Sequence, residues 1–211
     1  MIHVLIVDDH TIVRKGIKQL LEDTPDIRVS GEAEHAAEML RKIHHHHFDV
    51  VVLDISLPGR SGVEALKQLK SIKPHLPVLI LSMYPEDQYA LRVIKSGAAG
   101  YLTKESAPGE LETAIRKVSA GKRYISSKVA DTLADNLNEP MEKPSYKSLS
   151  DREFEVLRRI AAGETLTQIS QSLSLSVKTI STYRTRILNK LNLNNNSELI
   201  RYAIQQRLVD L

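Results

Sequence analysis

Three aspartates, a serine and a lysine follow short aliphatic runs of this sequence and could together perform phosphoryl chemistry. Asp8 and Asp9 end "IHVLIVDD", Asp54 ends "FDVVVLD", Ser82 ends "PVLILS" and Lys104 ends "GYLTK". Carboxylates that converge repel one another and need a compensating cation, and Mg²⁺ suits them because it prefers oxygen ligands and keeps exchangeable waters. A carboxylate beside such an ion can attack a phosphoryl group, while an ammonium and a hydroxyl neutralise the phosphoryl oxygens.

The spacing of apolar residues predicts that these side chains meet at one edge of a parallel sheet. Five short aliphatic runs alternate with segments of helical periodicity over residues 1–124. Because the runs are almost continuously apolar, we expect both faces of the sheet to be covered by helices, as in an α/β doubly wound fold. Ligands of such folds bind beyond the carboxyl ends of the strands. A single aspartate there is usually a turn or cap residue, but this combination is hard to obtain by chance.

Four consecutive histidines, residues 44–47, form the other group that could perform chemistry. They are predicted to lie in a loop before the third strand, at the end opposite to Asp54. A strand of about six residues separates the two groups by roughly 20 Å, so the histidines are not part of the acid site. Consecutive histidines in a loop bind Zn²⁺ or Ni²⁺ weakly and without a fixed geometry. The sequence alone therefore assigns no metal to them.

The C-terminal part of the chain carries all of the excess positive charge. Residues 148–211 contain nine Lys or Arg and six Asp or Glu, which equals the net charge of +3 of the whole chain. No acid occurs between Glu164 and Glu198, and the basic residues in that gap are Lys178, Arg184, Arg186 and Lys190. A basic patch suits a polyanion, and nucleic acid is the first candidate. A solvated helix face is the plainer interpretation.

Two helical segments in this part fit a helix-turn-helix. "TLTQISQSLSL" is followed by "SVKTISTYRTRILNKL", whose inner face is formed by Ile180, Ile187, Leu188 and Leu191. Its outer face carries small polar and basic residues, which are the types that base edges and phosphates require. Upstream, Ser150 and Glu153 predict a capping box at a helix start. The alternative is an ordinary four-helix packing module with a basic surface.

Composition limits the class of protein further. The chain has 211 residues, enough for two domains, and no cysteine, which excludes disulfides and thiolate metal sites. No apolar run approaches the roughly 20 residues needed to cross a bilayer, and the N-terminus does not look like a signal peptide. We expect a cytoplasmic protein. "SSKVADTLADNL" predicts a helix, and residues 138–147 contain two prolines and few apolar residues, which predicts a linker.

Four motifs resemble the receiver domain of two-component response regulators over residues 1–124: "VLIVDDH", "VVVLDISLPGRSG", "LILSMY" and "GYLTKESAPGEL". The resemblance implies that Asp54 accepts phosphate from a sensor histidine kinase or a phosphotransfer protein. It implies Mg²⁺ as the cofactor, held by Asp8, Asp9, Asp54 and the backbone carbonyl of Ser56. It also implies phosphoryl-binding or switch roles for Ser82, Lys104 and Tyr101.

The segment from "LSDREFEV" to "NKLNL" resembles the LuxR-type DNA-binding domain over residues 148–211, with residues 125–147 as linker helix and flexible linker. The whole chain resembles a NarL/FixJ-family response regulator. This implies a regulator of transcription that binds double-stranded DNA, forms a homodimer when phosphorylated and is not a turnover enzyme. By matching motif positions, the expected base-reading residues are Ser181, Thr182 and Thr185. The expected phosphate contacts are Lys178, Thr179, Tyr183, Arg184 and Arg186.

Three other functions compete with this interpretation. A dehalogenase-like phosphatase has an Asp-x-Asp nucleophile motif, whereas Ser56 stands two residues after Asp54. A dinucleotide-dependent oxidoreductase needs a Gly-x-Gly-x-x-Gly turn, whereas Asp8, Asp9 and His10 follow the first strand. An adaptor whose last domain binds protein instead of DNA is the third, and a gel shift on genomic fragments distinguishes it from a DNA-binding regulator.

Overall fold

The structure is a computed structural model that describes residues 1–57, 61–127, 129–131 and 145–209, with the backbone alone at residues 87 and 88. The chain divides into two compact units, Met1–Asn138 and Glu139–Leu211. Most of the predicted linker helix and of the predicted linker, residues 132–144, lies outside the described residues. Among the residues described, no helix combines the length and the apolar character that crossing a bilayer requires.

The first unit contains a five-stranded parallel sheet in the order β2-β1-β3-β4-β5. Its strands are Ile2–Val7 (β1), Ile27–Ala33 (β2), Val50–Asp54 (β3), Val78–Ser82 (β4) and Gly100–Thr103 (β5). Every residue of β3 and β4 is buried, which explains their continuous apolar sequence: both faces of the sheet are covered. The doubly wound prediction is confirmed.

In the part of the first unit that the structure describes, five helices cover this sheet: Thr11–Glu22 (α1), Ala36–His45 (α2), Gly62–Ile72 (α3), Glu86–Lys95 (α4) and Ala107–Ser119 (α5). A core cluster joins β1 and β3 to residues of α1 and α5, among them Ile17, Leu21, Leu111 and Ile115. Paired positions such as Asp54↔Leu81 and Ser82↔Thr103 align the strand ends. Side chains that follow β1, β3, β4 and β5 therefore meet at one edge.

The prediction that all four consecutive histidines lie in a loop is wrong for the first two. His44 and His45 form the last turn of α2, and the helix closes with the His46 N–H donating to the Lys42 carbonyl at 2.8 Å. The apolar residues Met39 and Ile43 anchor this helix in the core. Histidine has an ordinary helix propensity, so the helix can continue through His44 and His45 after the buried Ile43.

The second unit is helical, as predicted. A 3₁₀ turn at Tyr146–Ser148 precedes helices Asp151–Ala161 (α6), Leu166–Ser172 (α7), Val177–Leu191 (α8) and Asn196–Gln205 (α9). The capping box at the start of α6 is confirmed, because the Glu153 carboxylate accepts from the Ser150 N–H at 2.8 Å and the Ser150 hydroxyl accepts from the Glu153 N–H at 3.3 Å. The predicted inner face of α8 is buried.

Candidate functional sites

A lysine bridges two buried carboxylates at the carboxyl edge of the sheet. Lys104 Nζ donates to Asp54 Oδ2 at 2.7 Å and lies 2.7 Å from Asp8 Oδ2. Both carboxylate side chains are 2% exposed and the lysine side chain is 10% exposed. β1, β3 and β5 therefore each deliver one member of a charged cluster that is largely withdrawn from water. We name this cluster, together with Asp9, the acid pocket.

The acid pocket has the donor set of a divalent-cation site. Ligand atoms of Asp8, Asp9, His10 and Asp54 lie within 4.8 Å of one another. One buried oxygen in it, Asp9 Oδ1, accepts no hydrogen bond from the described residues and lies 3.0 Å from His10 Nδ1, whereas Asp8 Oδ2 has the Lys104 ammonium 2.7 Å away. Buried carboxylate oxygens without a donor are costly unless a cation compensates them. The residues present therefore fit a hard cation such as Mg²⁺.

Ser56 lies beside this pocket. Its backbone N–H donates to Asp54 Oδ1 at 3.1 Å, which folds the chain after β3 back over the carboxylate. This contact fixes the direction of Asp54, while the role of the Ser56 carbonyl as a metal ligand stays a prediction. Residues 58–60 of the same loop lie outside the described residues.

Burial and neighbouring charges act in opposite directions on the pKa values of Asp54 and Lys104. Burial raises the pKa of the Asp54 carboxyl and outweighs the lowering by the Lys104 ammonium, while the neighbouring Asp8 charge adds to the rise. Burial acts to lower the pKa of Lys104, but the Asp54 and Asp8 carboxylates prevail and raise it. The lysine is therefore held charged, and ionisation of Asp54 is the costly event in the folded state.

We expect Asp54→Asn to stabilise the folded chain at neutral pH when divalent cations are absent. Because the pKa of Asp54 is higher folded than unfolded, the folded state binds the proton more tightly, and ionisation above that pKa destabilises the fold. The advantage of the variant should shrink as the pH falls through the raised pKa. Paired thermal melts of wild type and variant in a chelator, over a pH series, measure the difference.

Asp26→Asn supplies a control of opposite sign. The exposed Asp26 accepts two hydrogen bonds from Arg116, both at 2.9 Å, and these hold the pKa of its carboxyl below the usual value. Removing its charge should therefore lower stability at neutral pH. A lower melting temperature for Asp54→Asn at neutral pH would mean that the ion pair with Lys104 outweighs the burial of Asp54.

Ser82 and Tyr101 are joined through the backbone of Tyr84. The Ser82 hydroxyl, fully buried at the end of β4, accepts from the Tyr84 N–H at 3.1 Å, and the Tyr101 hydroxyl donates to the Tyr84 carbonyl at 2.7 Å. The Tyr84 ring stacks on Tyr89 with centroids 4.9 Å apart. The sequence predicted roles for Ser82 and Tyr101 but missed Tyr84, whose backbone connects them.

Arg14 is a second residue that sequence reasoning missed. Its guanidinium, 7% exposed, donates to the Asp8 carbonyl at 2.7 Å, to Glu34 at 2.6 Å and to Glu32 at 3.3 Å. It thereby ties the backbone of the acid pocket to the end of β2. Arg14 shares the buried face of α1 with Ile17 and Leu21. A charged residue at the helical spacing of buried apolar residues was the signal in the sequence that Arg14 has a structural partner.

Seven of the eight predicted DNA-contacting residues lie on the outer side of α8. Lys178, Thr182, Thr185 and Arg186 are exposed, and Thr179, Ser181 and Tyr183 are partly exposed. Five of these residues and Ser176 line a shallow depression: Lys178, Thr179, Thr182, Tyr183 and Arg186. The hydroxyls of Thr182 and Thr185 donate to helix carbonyls at 3.0 and 3.1 Å. The structure thus brings these side chains onto one surface.

Arg184 lies apart from that surface. Its exposure is intermediate, like that of Thr179, Ser181 and Tyr183, but its Nε donates to Asn196 Oδ1 at the start of α9 at 2.6 Å. It is also four residues from the buried Ile180 and seven from the buried Leu191, the spacing of the inner face. Its predicted contact with a DNA phosphate stays a prediction, and the observed bond links α8 to α9.

Comparison with protein families identifies both units. The family described as response regulator receiver domain matches residues 4–116. The family described as bacterial regulatory proteins, luxR family, matches residues 147–203. The acid pocket falls within the first match and the outer side of α8 within the second.

Curated relatives match along the whole chain. "Response regulator UvrY" of Escherichia coli is 39% identical over 209 residues, which cover 99% of this chain and 96% of the relative. "Response regulator GacA" of Pseudomonas aeruginosa is 39% identical over 211 residues, which cover 100% and 99%. These names describe response regulators, in agreement with the prediction from sequence.

Solved structures match as well. The response regulator RcsB of Salmonella typhimurium is 28% identical with a TM-score of 0.72, covering 97% of this chain and 98% of that chain. RcsB bound to the promoter rprA in the presence of the phosphomimetic BeF3- is 28% identical with a TM-score of 0.66, covering 96% and 98%. This chain therefore belongs to the two-component response regulators, transcription regulators that join a receiver domain to a LuxR-type DNA-binding domain.

Proposed function

We propose that phosphorylation of Asp54 controls the binding of this response regulator to DNA. The observation that carries the proposal is the lysine bridge: Lys104 lies 2.7 Å from carboxylate oxygens of both Asp54 and Asp8 inside a buried pocket. The bridge holds Asp54 in one orientation with an ammonium ready to neutralise incoming phosphoryl oxygens. A sensor histidine kinase or a phosphotransfer protein is the proposed phosphoryl donor.

The acid pocket residues divide the work of phosphoryl transfer. Asp8, Asp9, Asp54 and the Ser56 carbonyl would hold Mg²⁺, which when bound offsets the charge of carboxylates and phosphoryl oxygens. The Asp54 carboxylate would attack the phosphorus of the donor's phosphohistidine, so that the O–P bond forms as the P–N bond breaks and the donor imidazole leaves with the electron pair. Lys104 and Ser82 would bind the oxygens of the transferred group. The same residues would promote dephosphorylation, so the phosphorylated state would be transient. The chain would promote phosphoryl transfer to and from its own Asp54 and would not be a turnover enzyme.

The Ser82–Tyr84–Tyr101 connection would report phosphorylation to the surface of the receiver. The Ser82 hydroxyl would donate to a phosphoryl oxygen while its oxygen continues to accept from the Tyr84 N–H, which it does at 3.1 Å. A turn of this hydroxyl toward the phosphoryl group would therefore pull on the backbone of Tyr84, whose carbonyl holds the Tyr101 hydroxyl. Binding can favour one arrangement only if the phosphoryl group interacts differently with the two.

The outer side of α8 would enter the major groove of double-stranded DNA. Ser181, Thr182 and Thr185 are proposed to read base edges, and Lys178, Thr179, Tyr183, Arg184 and Arg186 to contact phosphates. We place the receiver at residues 1–124, the linker at 125–147 and the DNA-binding domain at 148–211. A homodimer formed on phosphorylation and a cytoplasmic location are part of this proposal. RcsB–DNA complexes among the solved neighbours support the DNA role.

Selection of bound genomic DNA, with and without prior phosphorylation, tests the proposed function. We expect the phosphorylated protein to enrich a defined set of sequences more strongly than the unphosphorylated protein at equal protomer concentration and equal salt. Equal enrichment by both forms would contradict control by phosphorylation. Absence of enrichment by either would favour an output through protein binding.

Arg14→Ala should weaken Mg²⁺ binding by about 10- to 100-fold, the range that outer partners of metal ligands contribute. Among the described residues, the hydrogen bond that joins this guanidinium to the acid pocket goes to the Asp8 carbonyl, so Arg14 acts as a positioning residue. Titration calorimetry with Mg²⁺ measures the change, and Arg14→Lys should recover part of it.

Arg116→Ala is the matched control for Arg14→Ala. It removes an arginine that is paired with Asp26 beside the opposite end of β2. We expect it to lower the melting temperature and leave the Mg²⁺ affinity unchanged. If Arg14→Ala behaved in the same way, its role would be confined to stabilising the fold.

A further inference from the structure

A fifth histidine joins the four consecutive ones in a single surface cavity. His44 and His45 at the end of α2, and His46 and His47 after it, line this cavity together with His75 from the connection between α3 and β4. β3 and β4 are adjacent parallel strands, so the connections that lead into them meet at the same edge of the sheet. Five of the eight histidines of the chain therefore share one place.

The chemistry of this cavity, here named the histidine pocket, suits a borderline divalent cation. Neutral imidazole nitrogen is the donor that Zn²⁺, Ni²⁺ and Cu²⁺ select, whereas Mg²⁺ prefers oxygen. Asp49 also lines the pocket, with its Oδ1 3.9 Å from His47 Nδ1. Its Oδ2 accepts from the His3 N–H at 2.7 Å. Asp49 can therefore orient an imidazole or supply an oxygen ligand from a fixed position.

The backbone around the histidine pocket is anchored, whereas the imidazole rings are exposed to solvent. Ile43 and Phe48 on either side of the four histidines are 3% and 6% exposed, and the Asp49 N–H donates to the His3 carbonyl at 2.8 Å. All five histidines are exposed. Their nitrogens do not converge within one coordination sphere among the described residues. Exposed side chains change rotamer in picoseconds to nanoseconds, so binding requires no rearrangement of the core.

We propose that the histidine pocket binds a transition-metal dication of the Zn²⁺ class, with His75 and at least two of the four consecutive histidines as ligands. Zinc takes imidazole nitrogens at about 2.0–2.1 Å, usually with four ligands in all. The site lies at the amino end of β3, and Asp54 at the carboxyl end of the same strand. The receiver would thus hold two cation sites of different ligand chemistry at opposite edges of one sheet.

Titration calorimetry of the full chain, without a histidine tag and with Mg²⁺ in excess, tests the proposal with Zn²⁺ as the titrant. We expect one Zn²⁺ per chain, abolished by replacing residues 44–47 with asparagine. His75→Asn is the decisive variant, because a flexible tract would not depend on it. His75→Asn should weaken Zn²⁺ binding by about tenfold or more. Losing a residue that only hydrogen-bonds to a metal ligand already costs about that much, and His75 is proposed to be a ligand itself. Unchanged affinity in His75→Asn would overturn the proposed site.

Three further variants complete the test. His35→Asn removes a histidine at the start of α2 but keeps a side chain able to cap the helix, so Zn²⁺ affinity should not change. Asp9→Asn disables the acid pocket and should also leave Zn²⁺ affinity unchanged; a loss of Zn²⁺ affinity in this variant would place the ion in the acid pocket and contradict the proposal.

Lys73 lines the histidine pocket too, and Lys73→Ala should not weaken Zn²⁺ binding. A different result would overturn the proposal: the wild-type chain binds phosphate and no Zn²⁺, and Lys73→Ala no longer binds phosphate. The histidine pocket would then be an anion site.

Discussion

Asp54→Asn protein incubated with acetyl phosphate and Mg²⁺ is expected to gain no phosphoryl group, whereas the wild-type chain gains one that is labile to acid. The asparagine keeps the shape of the side chain but lacks the nucleophilic carboxylate oxygen. The hydrogen bond from the Ser56 N–H to residue 54 can persist, so the surrounding loop has no reason to move. Intact-mass measurement before and after incubation reads the result directly.

Asp49→Asn is the matched control for this experiment. Asp49 precedes β3, so the same substitution is made at the opposite end of the strand that ends in Asp54. Its amide oxygen can still accept the hydrogen bond from the His3 N–H. We expect wild-type phosphorylation of this variant. Persistent labelling of Asp54→Asn at the wild-type level would assign the phosphoacceptor to another residue and remove the basis of the proposed mechanism.

Substitutions on the outer side of α8 are expected to separate affinity from sequence preference. Arg186→Ala should weaken binding to specific and random DNA together and reduce the slope of log affinity against log salt by about one, because one proposed phosphate contact would be lost. Thr185→Ala should mainly reduce discrimination, by roughly 1–3 kcal/mol at one base pair. Binding isotherms on an operator, on single-base variants of it and on random DNA, each at several salt concentrations, measure both quantities.

Arg201→Ala is the charge-matched control, since it removes an exposed cation from α9 and none from α8. It should leave the salt slope close to that of wild type. Arg184→Ala should also weaken binding to all DNA, but it breaks the bond to Asn196 as well, so Arg186 gives the sharper measurement. An unchanged base preference in Thr185→Ala would show that the assigned orientation of α8 in the groove is wrong.

Local patterns of the sequence were sufficient for most of the described elements and for the location of the acid pocket. β3 and β4 read as continuous apolar runs because both of their faces are buried. Asp54 and Ser82 follow these runs, and parallel strands in register deliver their carboxyl ends to one edge. The inner face of α8 and the capping box of α6 were also predictable from local patterns. Both depend on residues that lie within a few positions of one another in the sequence.

Contacts between distant segments were decided only by the tertiary structure. Arg14 reaches Glu32 and Glu34 because β2 lies beside β1 in the strand order, and spacing along the chain does not encode that neighbourhood. Packing between elements likewise decides three other features. These are the length of α2, the hydrogen bond between Arg184 and Asn196, and the position of His75 beside the other histidines. By itself the sequence determined which residue types could perform chemistry and at which edge of the sheet. The tertiary structure decided which atoms meet, because a side chain's partners depend on strand order and rotamers that local periodicity does not specify.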